Sequence, residues 1–578
     1  MKRASVLLIL FLSACATASV KHAPVHLVIV GTTDVHGWFN GHVTKDLQYG
    51  GVALLASYVN ALRAENENRV VLVDSGDLFQ GTLESNFFEG EPVIKAYNVL
   101  GYSASAVGNH EFDYGPAGPG SVARNPGDDP LGALKRNAAM AKFPFLSANM
   151  TEKATGRTPS WALPYAIVEV GGARLGIIGL STPDTPNVTI GSNVASLNFG
   201  DPVPATVAAA RELRAKGADA VIVIAHMGGH CTDVNDVHDV ASCEKQQEAM
   251  QLLASLPAGT IDAYFAGHTH AQMRQIVNGV PATQGLAYSV EFSTLDLWID
   301  RDGHRVDAAR TNIRPLTMIC GRVYQGTDRC ESRDAPKGAA LVPRTFLGRV
   351  IEPDPKVAAV VAPYLEKVAA KRGEKLGVQS AGVFNRNYAA EAPLGDLLAD
   401  ALRRSLNTDI ALVNSGGIRS PLPAGDLVYS DIFEVSPFDN YGAIVTMTGQ
   451  QLTDTLRLTT SGERGIMQVS GLRYTFDAAK DADKPPSERN RLVSVTLEDG
   501  TPLDPNKLYR VAMPDFLAGG GDGLQVVINA IPADRIVILP DRGLMHDVFA
   551  EVLKTFPQPL VPKTDGRITV LNAPKAKQ

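Results

Sequence analysis

Gly108-Asn109-His110-Glu111-Phe112-Asp113 stands directly after a short apolar run, Ala104 to Val107, so an amide, an imidazole and two carboxylates sit at the end of what reads as a buried strand. Outward from it the same arrangement recurs four times. His26 to Val30 is followed by Asp34-Val35-His36, and Val70 to Val73 by Gly76-Asp77. Ala220 to Ala225 leads to His226, and Tyr264 to Ala266 leads to Gly267-His268-Thr269-His270. Helical patterns lie between these runs, among them Val52 to Glu65 and Pro204 to Lys216, so the region reads as layered α/β with helices outside sheets. Ligands of open α/β sheets gather beyond the carboxyl ends of strands, which allows five distant loops to converge.

Imidazole, carboxylate and amide oxygen together suit divalent transition metals such as Zn, Mn, Co or Fe. Two such cations about 3.5–4 Å apart polarise phosphoryl oxygens and deprotonate a water between them at neutral pH, and one carboxylate, here Asp77, can bridge them. Glycines beside the donors permit tight turns and close approach of a substrate. Taken singly, His268 or Asp34 would read as structural or surface polar residues, and the weight rests on the ordered set. His22, His26, His42 and His304 lack such a setting and read as ordinary histidines.

DxH, GD, GNHExD, H and GHTH, in that order, resemble the calcineurin-like metallophosphatase domain. The resemblance implies a four-layer α/β/β/α sandwich, placed at about residues 24–340. It also implies that Asp34, His36, Asp77 and His270 surround one metal and Asp77, Asn109, His226 and His268 the other. His110 matches the catalytic histidine that stabilises or protonates the departing oxygen, and Asp113 would orient its ring; a turn or capping role is the competing reading of Asp113. The polar stretch from Gly229 to Glu244 departs from the pattern and reads as a disulfide-tied surface loop. A metal site on His230 and His238 is its rival, without ligand spacing to support it.

Pro355 to Arg372 has helical periodicity and reads as a helix within a linker of residues 341–372, or else as the first helix of the next domain. In the remainder, 373–573, Asn414-Ser415-Gly416-Gly417-Ile418-Arg419, Ser436-Pro437-Phe438-Asp439-Asn440 and Asp515-Phe516-Leu517-Ala518-Gly519-Gly520-Gly521-Asp522-Gly523 resemble the C-terminal domain of the 5'-nucleotidase family. That implies an α+β substrate-binding domain. Phe438 and Phe516 match a pair of rings that clamp a base, an arrangement worth roughly 1–3 kcal/mol per stacked base. Asn440 would meet the base edge, Asp522 the ribose hydroxyls, and Arg419 would fork onto phosphate oxygens. Arg386 lies near the position of a second phosphate-binding arginine, with spacing that does not match cleanly; a surface arginine is the alternative.

The chain has 578 residues, 45% hydrophobic and 20% charged, an ordinary globular balance that is too long for one core. Its net charge of -7 argues against a nucleic-acid polymer as partner and leaves a small anionic substrate open. Lys2, Arg3 and the apolar run to Leu12, followed by small residues, read as an export signal over residues 1–18. Leu12-Ser13-Ala14-Cys15 resembles a lipobox, which would anchor the chain through Cys15; cleavage after Ala18 is the competing outcome. The other four cysteines form local pairs, Cys231 with Cys243 and Cys320 with Cys330, expected to be disulfides in the periplasm or cell envelope.

The expected function is an exported, metal-dependent 5'-nucleotidase in which a hydroxide held by the metal pair attacks a nucleoside monophosphate. Cleavage of 2',3'-cyclic nucleotides or UDP-sugars, a sulfur-ester hydrolase of the same two-domain plan, and a non-catalytic nucleotide-binding surface lipoprotein are the rivals. Sequence sets no oligomeric state.

Overall fold

The computed structural model describes residues 22–44, 47–118, 120–331, 338, 340–462 and 464–573. The expected export segment and Cys15 lie outside them. Among the described residues no helix is long and apolar enough to cross a membrane.

Two sheets stack face to face in the first half. One runs Arg305–Val306, Glu291–Asp300, Val25–Thr32, Val70–Asp74, Ala104–Ala106, Phe145–Leu146, with two short strands also pairing to Glu291–Asp300. The other runs Met273–Val277, Val280–Gln284, Ala263–Ala266, Ala220–His226, Ala173–Ser181, Tyr165–Val170. The strands that carry the motifs run parallel to one another within each sheet, while Val25–Thr32 pairs antiparallel with Glu291–Asp300 on its other side. Both faces of these strands are covered, which is why they read as continuous Val, Ile and Ala runs instead of alternating ones.

Leu27, Ile29, Val71 and Val73 of the first sheet bury against Ile177, Ile222, Ile224 and Phe265 of the second. On its outer face the first sheet packs Val28, Val30 and Leu72 with Leu55, Tyr58 and Val59 of the helix Val52–Glu65. The second packs Ile178, Val221 and Val223 with Ala209 and Leu213 of the helix Pro202–Ala215. The layers therefore run helix, sheet, sheet, helix, as the resemblance implied. Two crossings between the sheets are too close for a side chain. A Cβ on Gly31 would lie 2.4 Å from the Phe265 ring, and one on Gly179 would lie 2.2 Å from the Leu146 Cβ.

The second half is α+β. A five-stranded sheet, ordered Met467–Ser470, Ile410–Asn414, Leu508–Pro514, Gly442–Thr448, Ile536–Ile538, carries the helices Pro393–Leu406 and Met545–Leu553 on one face. The helix Gly449–Thr459 and a three-stranded sheet cover the other. Pro355–Arg372 is one helix, started by Asp354, whose side chain accepts from the Lys356 and Val357 N–H groups, with Pro355 in the first turn and Lys371 and Arg372 in the last. It docks on the first half: Val357 and Val361 join that core, and the Tyr364 hydroxyl donates to Glu91 at 2.7 Å. Upstream, Leu341–Pro343 pairs with Arg322–Tyr324, and both expected disulfides are formed.

Gly179→Ala should lower stability by roughly 1–3 kcal/mol, the cost of overpacking a filled interior. Thermal denaturation reads it directly, and an unchanged melting temperature would contradict the close stacking of the two sheets.

Candidate metal centre

The motif strands end together, and their loops are interlocked before any side chain is considered. The Asp34 N–H donates to the Gly76 carbonyl at 3.0 Å, and the His36 N–H to the Asp77 carbonyl at 2.9 Å. Asp34, His36, Asp77, His268 and His270 all hold left-handed backbone, with φ of 50, 48, 59, 81 and 54°. Each costs about 1–2 kcal/mol for a residue with a Cβ. Five of the seven expected donors carry this strain, and strain of that kind concentrates where a structure is built for function.

The ring orientations follow from backbone carbonyls. His36 Nδ1 donates to the Gln80 carbonyl at 2.8 Å and His226 Nδ1 to the Ser75 carbonyl at 2.9 Å, which leaves each Nε2 as a lone pair aimed inward. His36 Nε2 lies 3.0 Å from His270 Nε2, and His226 Nε2 lies 3.2 Å from His268 Nδ1 and 3.1 Å from Asn109 Oδ1. The Asn109 amide is fixed oxygen-inward because its nitrogen donates to the Val188 carbonyl at 3.0 Å. Two groups result, Asp34 with His36 and His270, and Asp77 with His226 and His268, each with its donor atoms within 4.8 Å of one another. Asp77 Oδ2 reaches toward both, 3.0 Å from His226 Nε2 and 3.5 Å from His36 Nε2. Acceptors turned toward acceptors in a buried space fit a pair of divalent cations.

Electrostatics divide this donor set: burial disfavours the His226 cation, but Asp77 outweighs it and raises the His226 pKa to about 10, so His226 ligates only by giving up that proton to an incoming cation. Burial alone would raise the Asp77 carboxyl, but His226 and His110 outweigh it and hold it well below its ordinary value. Burial and the Arg419 guanidinium push the His36 pKa well down, which keeps the ring neutral and able to ligate. His110 differs. Burial disfavours its cation, yet Asp113 and Asp77 prevail and raise its pKa. Its Nδ1 meets Asp113 Oδ2 at 2.5 Å, and Asp113 also caps the short turn His110–Phe112.

The second half brings some of its expected residues to this centre. Arg419 Nη2 lies 3.2 Å from His36 Nε2, and the Phe438 ring centroid is 5.7 Å from that of His110. Phe516 lies over Gly521, where a Cβ would sit 2.4 Å from its ring. Asp522, left-handed at φ 55°, accepts from the Asn414 amide at 2.8 Å. Asn440 engages through its carbonyl, which accepts from the Met545 N–H at 2.8 Å. Arg386 is exposed and donates Nη1 to the Ile418 carbonyl at 3.2 Å, next to Arg419 in the chain. His230 pairs with Glu244 at 2.8 Å within the disulfide-tied loop.

Other residues matter here that sequence did not single out. Gln80 and Asn86 both donate side-chain N–H groups to the Pro437 carbonyl at 2.7 Å, and so fix the loop that presents Phe438. Nothing in their local sequence signals this. Glu111, inside the GNHExD motif, accepts from the Asp77 and Gly108 N–H groups at 2.9 and 2.6 Å and from the Leu78 N–H at 2.6 Å. One carboxylate thus clamps two metal-site loops, while burial and Asp77 raise its pKa to about 8. Glu111→Gln puts an amide N–H against a backbone N–H, a buried mismatch worth about 1–3 kcal/mol. It should lower the melting temperature and the bound metal together; full metal content by elemental analysis would argue against the clamp.

The comparisons with known proteins agree with this architecture. A family model for calcineurin-like phosphoesterases matches residues 27–272, and one for the 5'-nucleotidase C-terminal domain matches residues 371–528. The chain is 26% identical over 573 residues to an endonuclease, YhcR, of Bacillus subtilis, covering 96% of this chain but 42% of that longer protein. It is 28% identical over 552 residues to a 5'-nucleotidase of Vibrio cholerae, covering 90% of each. The crystal structure of a 5'-nucleotidase precursor from Thermus thermophilus matches at a TM-score of 0.73 and 26% identity, covering 95% of this chain and all of that one. With both domains matched in order, and candidate metal donors of the first gathered at one place, the chain has the two-domain plan of the 5'-nucleotidase family, a calcineurin-like phosphoesterase domain followed by a 5'-nucleotidase C-terminal domain.

Proposed function

We propose that the protein is an exported nucleotide phosphohydrolase that releases phosphate from nucleoside monophosphates. The observation that carries this reading is the approach of Arg419 and Phe438 to the metal donors and His110, because it sets a phosphate fork and a flat stacking surface beside one hydrolytic centre. Asp34, His36, Asp77 and His270 would hold one divalent cation, and Asp77, Asn109, His226 and His268 the other. Such a pair supplies Lewis acidity toward phosphoryl oxygens and lowers the pKa of a shared water to near neutrality. His110 then stabilises or protonates the departing nucleoside oxygen, with Asp113 fixing its ring and favouring its charged form.

Arg419 orients the phosphoryl group, and Phe438 and Phe516 sandwich the base. The Phe438 ring faces His110 and Arg419, and the Phe516 ring lies on Gly521. Asp522 accepts from ribose hydroxyls and Asn440 meets the base edge, while Arg386, tied to the Ile418 carbonyl, supports the Arg419 turn. Export is supported by the basic, apolar and small-residue pattern of residues 1–18 and by two disulfides, which persist in oxidising compartments. Lipid attachment at Cys15 belongs to the same proposal.

Phosphate release from AMP, with and without chelator, tests the function. Metal-dependent release is expected, and none from any nucleotide would leave only a binding role. Cleavage of 2',3'-cyclic nucleotides or UDP-sugars in place of AMP would move the substrate while keeping the site. Asp77→Asn should lose metal and activity together, whereas His110→Asn should keep metal and lose most turnover; full activity in either overturns its assigned role. Phe438→Ala should raise KM for the nucleotide by about tenfold, the scale of one stacking contact, and spare aryl phosphates. Equal loss on both substrates would assign Phe438 to folding.

A further inference from the structure

Six residues, Asp184–Thr189, follow the strand Ala173–Ser181 of the second sheet and touch both the metal-centre loop of Asn109 and Asp113 and the second half. Asp184 accepts from Arg464 Nη2 with both carboxylate oxygens, at 2.8 and 2.6 Å. The Asn187 carbonyl accepts from the Asp522 N–H at 2.9 Å. Those two contacts cross from the first half to the glycine-rich turn and its neighbour in the second. The next two residues face the other way. The Val188 carbonyl holds the Asn109 amide, and the Thr189 hydroxyl donates to Asp113 Oδ1 at 2.8 Å.

The segment is itself firmly built. Asn187 bonds back to Asp184 at 2.7 Å, and the Thr185 hydroxyl donates to the Thr182 carbonyl at 2.7 Å. Asn193, just beyond, donates to the carbonyls of Phe112 and Ser121 at 2.9 and 2.7 Å. A carboxylate turns about its last bond with a broad, two-fold preference, so Asp113 needs both oxygens engaged to hold its plane. His110 takes Oδ2 and Thr189 takes Oδ1. Thr189 is 2% exposed, so water does not stand in for it.

We propose that Asp184–Thr189 is a strut tying the seating of the Asp522 turn to the placement of Asp113 and Asn109, with Thr189 the positioning residue for the His110–Asp113 pair. The proposal rests on the nucleotide reading for its Arg464 end, while its Thr189 end applies to any phosphate ester. A substrate that seats the Asp522 turn is thereby favoured in turnover as well as in affinity. An aryl phosphate, having no ribose, bypasses that end of the strut.

The test is steady-state kinetics on 4-nitrophenyl phosphate and on whichever of AMP, a 2',3'-cyclic nucleotide or a UDP-sugar the wild type cleaves, with metal content measured throughout. Thr189→Val should lower kcat about tenfold on both substrates at unchanged metal content and KM, the scale of losing an outer hydrogen bond to a working group. Thr189→Ser should restore it to within about twofold. Wild-type turnover in Thr189→Val, a serine variant as slow as valine, or loss of metal from either would overturn the positioning role; should the valine protein not fold, Thr189→Ala against Thr189→Ser gives the same comparison. Arg464→Gln should lower kcat/KM about tenfold for the nucleotide and less than about twofold for the aryl phosphate, and combining it with Thr189→Val should give a less than additive loss. Additive losses, or equal effects on the two substrates, would overturn the tie. Failure to cleave AMP would count against the substrate reading alone, because the aryl phosphate still reports on Thr189.

Discussion

Imidazole and carboxylate acceptors turned toward one another in a buried space repel, and everything at this centre depends on the protein holding them there regardless. The hold comes from the backbone. Carbonyls of Gln80 and Ser75 fix two ring tautomers, the Val188 carbonyl fixes an amide, and Glu111 clamps the loops of two donors through three N–H groups. A cation pair relieves that repulsion, so affinity for metal and order of the site are one property seen from two sides.

Such an arrangement is expensive, with five donors in left-handed backbone and a buried clamp beside a carboxylate. The stacked sheets offset it. Their shared core and the helices on both outer faces make a rigid frame whose carboxyl edges cannot drift apart without exposing apolar strands. Glycine at the tightest crossings lets the sheets approach closely enough for loops of both to reach a common point.

The second half is joined to this frame at the chemistry itself. Arg419 reaches His36, Gln80 and Asn86 hold the Pro437 carbonyl, and Asn187 holds the Asp522 turn. The long helix contributes at a distance, since it docks on the first half and its final Arg372 pairs with Glu84 on one side and Glu434 on the other. Contacts of this sort are polar and individually modest, which suits an interface that must admit a substrate.

The elements themselves were legible in the sequence. Val52–Glu65 and Pro355–Arg372 form with the expected bounds, and the five motif strands agree to within a residue or two, because period and apolar content are local properties. The donor types and their order were also plain, since metal chemistry restricts them to a few side chains beside glycine. The resemblance implied two sheets, but local pattern did not assign the five strands between them, three in one and two in the other. It was equally silent on Gln80, Asn86 and Thr189, ordinary polar residues whose partners lie between 76 and 357 positions away. Spacing along the chain sets which groups are available. Which of them meet is decided by how the layers stack, because a hydrogen bond across hundreds of residues leaves no periodic trace in the order of amino acids.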